Sequence, residues 1–402
     1  MTNEGNKQCN RGDKRLAAFI ASYFLSSSFN MCIKTLLRIP ERYWSLISYL
    51  FEGIMILCLV CALPTLFRRV GKKFILTEVV FVALYVISLL MGYAELSLLF
   101  NAFFWTVGVC IPLGFCAVAV RSKEYLFDVL YKICMVEYPF LGITLLLTHN
   151  KAGYDMSTSY ALVLPVIMFL FHFFKFKKKG ALIAAVAGAL VILLFGARGP
   201  LICIAFFVVF YVSSVMNKGK FRAGLLLSGI GAVFLLVFVG RYALTILKGY
   251  LAEKQIYSRT IDILLSGRFS GSSERGELFE YYFMLAKQKP LLGWGLQGGW
   301  LEKGNGPHNA LLEIVLALGF ILGTIVSLYL IFLLVKVFLL REGIEKDILF
   351  ILLSYNITMY VVMGNWLEKP IFFMFIILCA YAKRCRRGQH MQSELITKTK
   401  GA

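Results

Sequence analysis

A chain of 402 residues that is 59% hydrophobic and 16% charged, with a mean hydropathy of +0.76, is too apolar to fold as a soluble globule. Its formal net charge of +20 would suit nucleic acid, but the Lys and Arg residues are spread through short breaks between apolar runs rather than gathered on one face. The composition therefore excludes a nucleic-acid partner and points to a polytopic membrane protein in contact with lipid.

The apolar runs are continuous rather than alternating, which excludes a β-barrel and predicts an all-α fold of about twelve transmembrane helices. Taken in order, the predicted spans fall near 16–33, 44–67, 74–91, 96–120, 125–147, 157–174, 180–197, 200–216, 223–246, 308–340, 347–364 and 367–382. The chain thus divides into a polar N-terminal tail (1–15), nine spans (16–246), a long loop (247–307), three spans (308–382) and a basic tail (383–402). Basic residues mark alternate breaks, with about 25 on one side against about six in the opposite short loops. The positive-inside rule then puts both termini in the cytoplasm and the long loop outside. By the same topology Trp44, Trp294, Trp300 and Trp366 fall on the outer side, at the level of the headgroups.

The midplane charges are few: Glu52, Asp128, Glu137 and Lys336. Glu137, in the fifth span, is the one most plainly placed for a functional role, while Glu52 and Lys336 are close enough to span ends to snorkel. Most of the ten cysteines sit in apolar runs and none lies between Arg241 and His308, and no Cys/His spacing marks a metal site. Neither a metal nor another cofactor is expected. No internal repeat is visible, which weighs against a transporter built from repeats.

Two places outside the spans concentrate chemistry. Between the seventh and eighth spans, Gly196-Ala197-Arg198-Gly199-Pro200 predicts a tight turn that presents one arginine at the outer boundary, with Pro200 suited to the start of the next helix. A guanidinium there can grip phosphate oxygens in a bidentate fork or simply snorkel. In the long loop, Arg275 precedes a predicted amphipathic helix, Gly276 to Gln288, whose Leu278, Phe279, Tyr282, Phe283, Leu285 and Ala286 recur at helical spacing. This helix is expected to lie on the outer leaflet or on the bundle, with Pro290 ending it. A glycine-rich stretch follows, with Gly293, Gly295, Gly298, Gly299, Gly304 and Gly306, and it delivers His308-Asn309 into the tenth span. A histidine at a helix start is commonly a cap, but this one shares a side with two arginines and is a candidate base.

The order of these pieces resembles the bacterial O-antigen ligase and O-antigen polymerase family. The likeness rests on Gly196-Ala-Arg198-Gly199-Pro200, Arg275 with the aromatic Phe279 after it, Pro290-x-x-Gly293-x-Gly295, and His308-Asn309 followed by Gly319. It covers the span layout and, by motif, about the last half of the chain; Phe279 stands where many members have tryptophan. The resemblance implies an inverting, metal-independent glycosyltransferase on the outer face of the bacterial plasma membrane. Its donor would be a glycan on undecaprenyl diphosphate and its acceptor a second glycan or lipid A core. Carried over by position, Arg198 and Arg275 would bind the diphosphate and His308 would orient or deprotonate the acceptor hydroxyl, with Asn309, Gly293, Gly295 and Glu137 in support. The segment Tyr154-Asp-Met-Ser157-Thr-Ser159-Tyr160 looks like that of capsule polymerases, which favours polymerase over ligase. A lipid-linked glycan flippase is the rival reading from another class.

Overall fold

The structure is a computed structural model. It describes residues 11–37, 39–152, 156–195, 197–216, 242, 244–253, 258–266, 272–298, 306–360 and 365–382. Most of the expected ninth span, the 299–305 part of the glycine-rich stretch with Trp300, Gly196, and the 383–402 tail lie outside the described residues.

Every regular element among the described residues is helical. The main ones are α1 (Arg11–Leu36), α2 (Trp44–Met91), α3 (Leu96–Trp105), α4 (Ile111–Ala119), α5 (Lys123–Ala152), α6 (Met156–Phe176), α7 (Lys179–Phe195), α8 (Arg198–Met216), α9 (Arg259–Ser266), α10 (Ser272–Gln288), α11 (Ala310–Leu339), α12 (Ile344–Asn356) and α13 (Pro370–Tyr381). Among the described residues six stretches are long and apolar enough to cross a membrane: α1, α2, α3 with α4, α5 to Leu147, α6 and α11. Three shorter apolar helices, α7, the first part of α8 and α13, pack among them. Helices dominate because a chain this apolar has no water with which to satisfy its backbone and must bond each N–H within its own segment.

Three expected boundaries differ. The spans predicted at 44–67 and 74–91 form one continuous 48-residue helix, α2. The basic break between them holds no proline and a single glycine, so nothing in the backbone stops the helix there. At 1.5 Å per residue α2 is roughly 70 Å long, more than twice a hydrocarbon core of about 30 Å. Its basic side chains find partners instead of a loop. Arg69 forms an ion pair with Asp13 and donates to Ala119 O at 2.7 Å, and Lys73 lies over the Tyr381 ring. The first half of α2 runs antiparallel to α1, with Ser26 Oγ donating to Phe51 O at 3.4 Å and Lys34 Nζ to Ser48 Oγ at 2.7 Å.

The second difference is at 96–120, where α3 and α4 are joined by a π turn, Thr106–Cys110. Pro112 has no N–H to give the preceding turn, and the freed geometry is one in which π turns recur. The turn aims Thr106 at two neighbours: Oγ1 lies 2.9 Å from Tyr85 Oη and donates to Leu367 O at 2.8 Å. The third is within 308–340, where Gly319 has φ 78° and ψ 171° and divides α11 into a short first segment and a long second one.

Two of the intramembrane charges have local partners. Lys336 Nζ caps the end of α13, donating to Cys379 O at 2.5 Å and Ala380 O at 3.2 Å. Asp128 pairs with Lys132 at 2.7 Å. Trp366 is not a headgroup-level anchor: it is buried, stacked on Phe373 and edge-on to Phe81.

Candidate active site

The site region is the end of the bundle at which α7 finishes and α8 and α11 begin. Cys203 of α8 donates through Sγ to Tyr355 O, near the end of α12, at 3.3 Å. That antiparallel pairing brings the start of α8 to the end where α12 gives way to the 365–368 turn.

Arg198 opens α8 and is half-buried. The turn that carries it is seated on α6. Ala197 N donates to Ser159 Oγ at 3.3 Å, and a Cβ on Gly199 would lie 1.7 Å from Tyr160 Oη. Only a residue without a side chain fits over that tyrosine ring. Ser159 and Tyr160 thus form the platform under the arginine turn. Tyr154 and Asp155, at its start, lie outside the described residues.

Around the long loop, α9 packs on the end of α7, where Ser258 Oγ donates to Leu193 O at 3.1 Å. Asp262 of α9 pairs with Lys248 at 2.6 Å. The expected amphipathic helix is α10. It starts at Ser272, earlier than expected, and ends at Gln288 ahead of Pro290, with Lys287 in its last turn. Arg275 is in its first turn. The buried face consists of Tyr282, Leu285 and Ala286, packed with the partly buried Leu278 on Leu312 and Leu316 of α11. Phe279 and Phe283, expected on that face, are exposed instead. A helix resting on another helix buries a stripe about 100° wide, and 278, 282, 285 and 286 fill it.

The glycine motif explains the break in α11. Pro290 O accepts from Phe320 N at 2.7 Å, Trp294 N donates to Leu316 O at 2.8 Å, and Gly295 N donates to Ala317 O at 3.0 Å. These bonds satisfy backbone groups that the unwound turn at Gly319 would leave unpaired in an apolar setting. Gly293, Gly295 and Gly319 all have positive φ. A Cβ on Gly293 would meet Ala317 O and Gly319 N at 2.5 Å. Gly293 and Gly295 let the loop approach α11 and, through Gly295, Ser88 of α2. Leu296 N donates to Ser88 Oγ at 2.7 Å, and Lys289 Nζ lies over both Tyr93 and Trp294.

His308 precedes α11 in a left-handed conformation, φ 51°, and is half-buried. It is not the cap. Asn309 is, its Oδ1 accepting from Leu312 N at 3.0 Å. Four residues on, Glu313 is buried and its carboxylate accepts from Asn365 N at 2.7 and 2.9 Å and from Trp366 N at 3.3 Å. Sequence reasoning missed Glu313. Its position in the first turn of a helix reads as an ordinary charge–dipole preference, and its partners are more than fifty residues away.

Glu137 is 3% exposed within α5 and accepts from Ser28 Oγ of α1 at 2.7 Å. Of the other histidines, His172 is stacked on Tyr131 and Phe127 in the core, a packing role. No group of three or more His, Cys, Asp or Glu that could hold a metal occurs among the described residues.

Fold and site together define an all-helical membrane protein with an arginine turn and a histidine-led broken helix at one end. Residues 183–327, which include Arg198, Arg275, His308 and Gly319, match the family model described as O-antigen ligase. Comparison with curated proteins and with solved structures gave no match.

Proposed function

We propose that the protein is a glycosyltransferase that moves a glycan from undecaprenyl diphosphate to an acceptor glycan at the outer face of the bacterial plasma membrane. The observation that carries this reading is the family match over 183–327, which spans both arginines and the histidine. The membrane class follows from the six apolar helices. The outward orientation is supported by the distribution of basic residues along the sequence, which favours an external long loop.

In this reading Arg198 and Arg275 grip the donor diphosphate. The acceptor hydroxyl oxygen attacks the anomeric carbon, the bond from that carbon to the diphosphate oxygen breaks, and undecaprenyl diphosphate leaves with the electron pair. The hydroxyl proton passes to His308. The arginines supply the cations that a doubly charged leaving group needs. One attack from the face opposite the leaving group inverts the anomeric centre.

Between the two acceptors, we favour a second lipid-linked glycan, a polymerase of surface polysaccharide, over lipid A core, a ligase. This preference rests on the resemblance of the 154–160 segment to that of capsule polymerases; Ser159 and Tyr160 at its end underlie the arginine turn. The purified protein in nanodiscs, given undecaprenyl-diphosphate glycan and acceptor, is expected to form product; no turnover on authentic substrates would sink the enzyme reading and leave the flippase. Deleting the gene separates the two enzymes. Single repeats on lipid A core mark a polymerase, and accumulated lipid-linked polymer marks a ligase.

A further inference from the structure

Glu313 is a carboxylate only 5% exposed, in the first turn of a helix that begins beside the proposed base. Burying a carboxylate is costly unless it is paired or fully hydrogen-bonded. Here the compensation comes from two successive main-chain N–H groups, at Asn365 and Trp366. Asn365 adopts the left-handed conformation, φ 60°, which turns adjacent N–H groups to one side as an anion-binding nest does.

The nest is itself held from behind. Asn365 Oδ1 accepts from Gln297 Nε2 at 3.0 Å, Leu367 O accepts from Thr106 Oγ1 at 2.8 Å, and Asn101 Nδ2 donates to Glu368 at 3.0 Å. On the other side Glu313 N donates to Asn309 O at 2.9 Å. A continuous hydrogen-bonded chain therefore runs from Gln297 through Asn365 and Glu313 to Asn309, the residue next to His308. Gln297 belongs to the loop that splints the α11 break, so the chain ties both ends of the first α11 segment to one turn. Beside its terminus, His308 has a backbone conformation that non-glycine residues rarely adopt, and such a conformation persists where surroundings over-determine it.

We infer that Glu313 is a positioning residue for His308: through the 365–368 turn it fixes the start of α11, and with it the orientation of the imidazole towards the acceptor hydroxyl. The inference rests on the proposed role of His308 as the base. Glu313 itself touches no reacting atom.

The test is a double-mutant cycle on the full-length protein in nanodiscs, with undecaprenyl-diphosphate glycan and acceptor as substrates. Glu313→Ala should lower turnover by about 100-fold, the scale of a misplacement near 1 Å, while the donor KM changes little. In a His308→Ala background the same change should cost less than about threefold, because the group it positions is gone. Glu313→Gln keeps the volume and one acceptor but turns an NH₂ towards a main-chain N–H; it should fall between the two and carries the cycle if the alanine variant does not fold. Equal losses with and without His308 would reduce Glu313 to a structural brace and overturn the inference. So would full activity of Glu313→Ala and Glu313→Gln when His308→Ala is impaired. Full activity of His308→Ala is a different failure: it removes the base from the proposed mechanism, and the inference falls with it.

Discussion

Gly293 and Gly319 lie back to back: a Cβ added to Gly293 would stand 2.5 Å from Gly319 N. One is in the loop after α10 and the other at the break in α11, and each has a positive φ. Their contact lets Pro290, Trp294 and Gly295 bond to the unwound turn of α11 and lets the first α11 segment diverge from the spanning one.

Gly293→Ala should therefore be costly twice over, through strain at φ 67° and through overlap with Ala317 O. The expected loss is about 2–5 kcal/mol of stability. Thermal unfolding in detergent by intrinsic fluorescence reads it directly. A variant with an unchanged midpoint would show that the seam is loose.

Arg198→Lys and Arg275→Lys keep the charge and lose the fork. Each should lower turnover by about 10- to 100-fold, the worth of one hydrogen bond to a charged group. His308→Ala should cost about 10²- to 10⁴-fold. Initial rates with matched expression levels test all three, and a fully active lysine variant would remove the bidentate role of that arginine.

Helix α10 exposes Phe279, Phe283 and Met284 beside Glu277, Glu280 and Lys287, the turn after it exposes Leu291 and Leu292, and Phe283 lies edge-on to Phe320, where the spanning part of α11 begins. Continuity with that lipid-facing helix puts the 290–292 turn in the interfacial layer of the bilayer. A nitroxide on Leu292→Cys, with the other reactive cysteines such as Cys61 replaced, should collide more with oxygen than with a water-soluble nickel reagent in nanodiscs. The reverse preference would place this turn in water.

Asp13 and Arg69 form a buried ion pair that joins the start of α1 to the middle of α2. Asp13→Ala strands a guanidinium whose side chain is 7% exposed and should cost about 3–5 kcal/mol. The double variant Asp13→Leu with Arg69→Met should recover most of that loss, since apolar groups of similar volume can replace a buried pair. A double variant as unstable as Asp13→Ala would mean that the Arg69 bond to Ala119 O carries the junction instead.

By itself the sequence determined that this is a helical membrane protein, that an arginine turn precedes α8, and that a helix and a glycine loop lead into a histidine. Hydropathy, glycine and proline placement and charge at breaks are local properties, and each can be summed along a window. The end of α10 before Pro290 and the Lys336 position near a helix end were legible for that reason, whereas α8 begins at Arg198, ahead of the expected Pro200. What only the tertiary structure decided depends on groups far apart in the chain. Arg68 to Lys73 read as a loop because charge disfavours a span, yet Arg69 is held in helix by Asp13 and Ala119. The run at 308–340 read as one span because its hydropathy never falters, yet Gly319 breaks it where backbone from Pro290 to Gly295 supplies the missing hydrogen bonds. Glu313 carried no signal at all, since a first-turn glutamate needs no explanation until Asn365 and Trp366 are seen to donate to it. Hydrogen bonds across such separations cost chain entropy that only the assembled fold repays, so no window of sequence could have shown them.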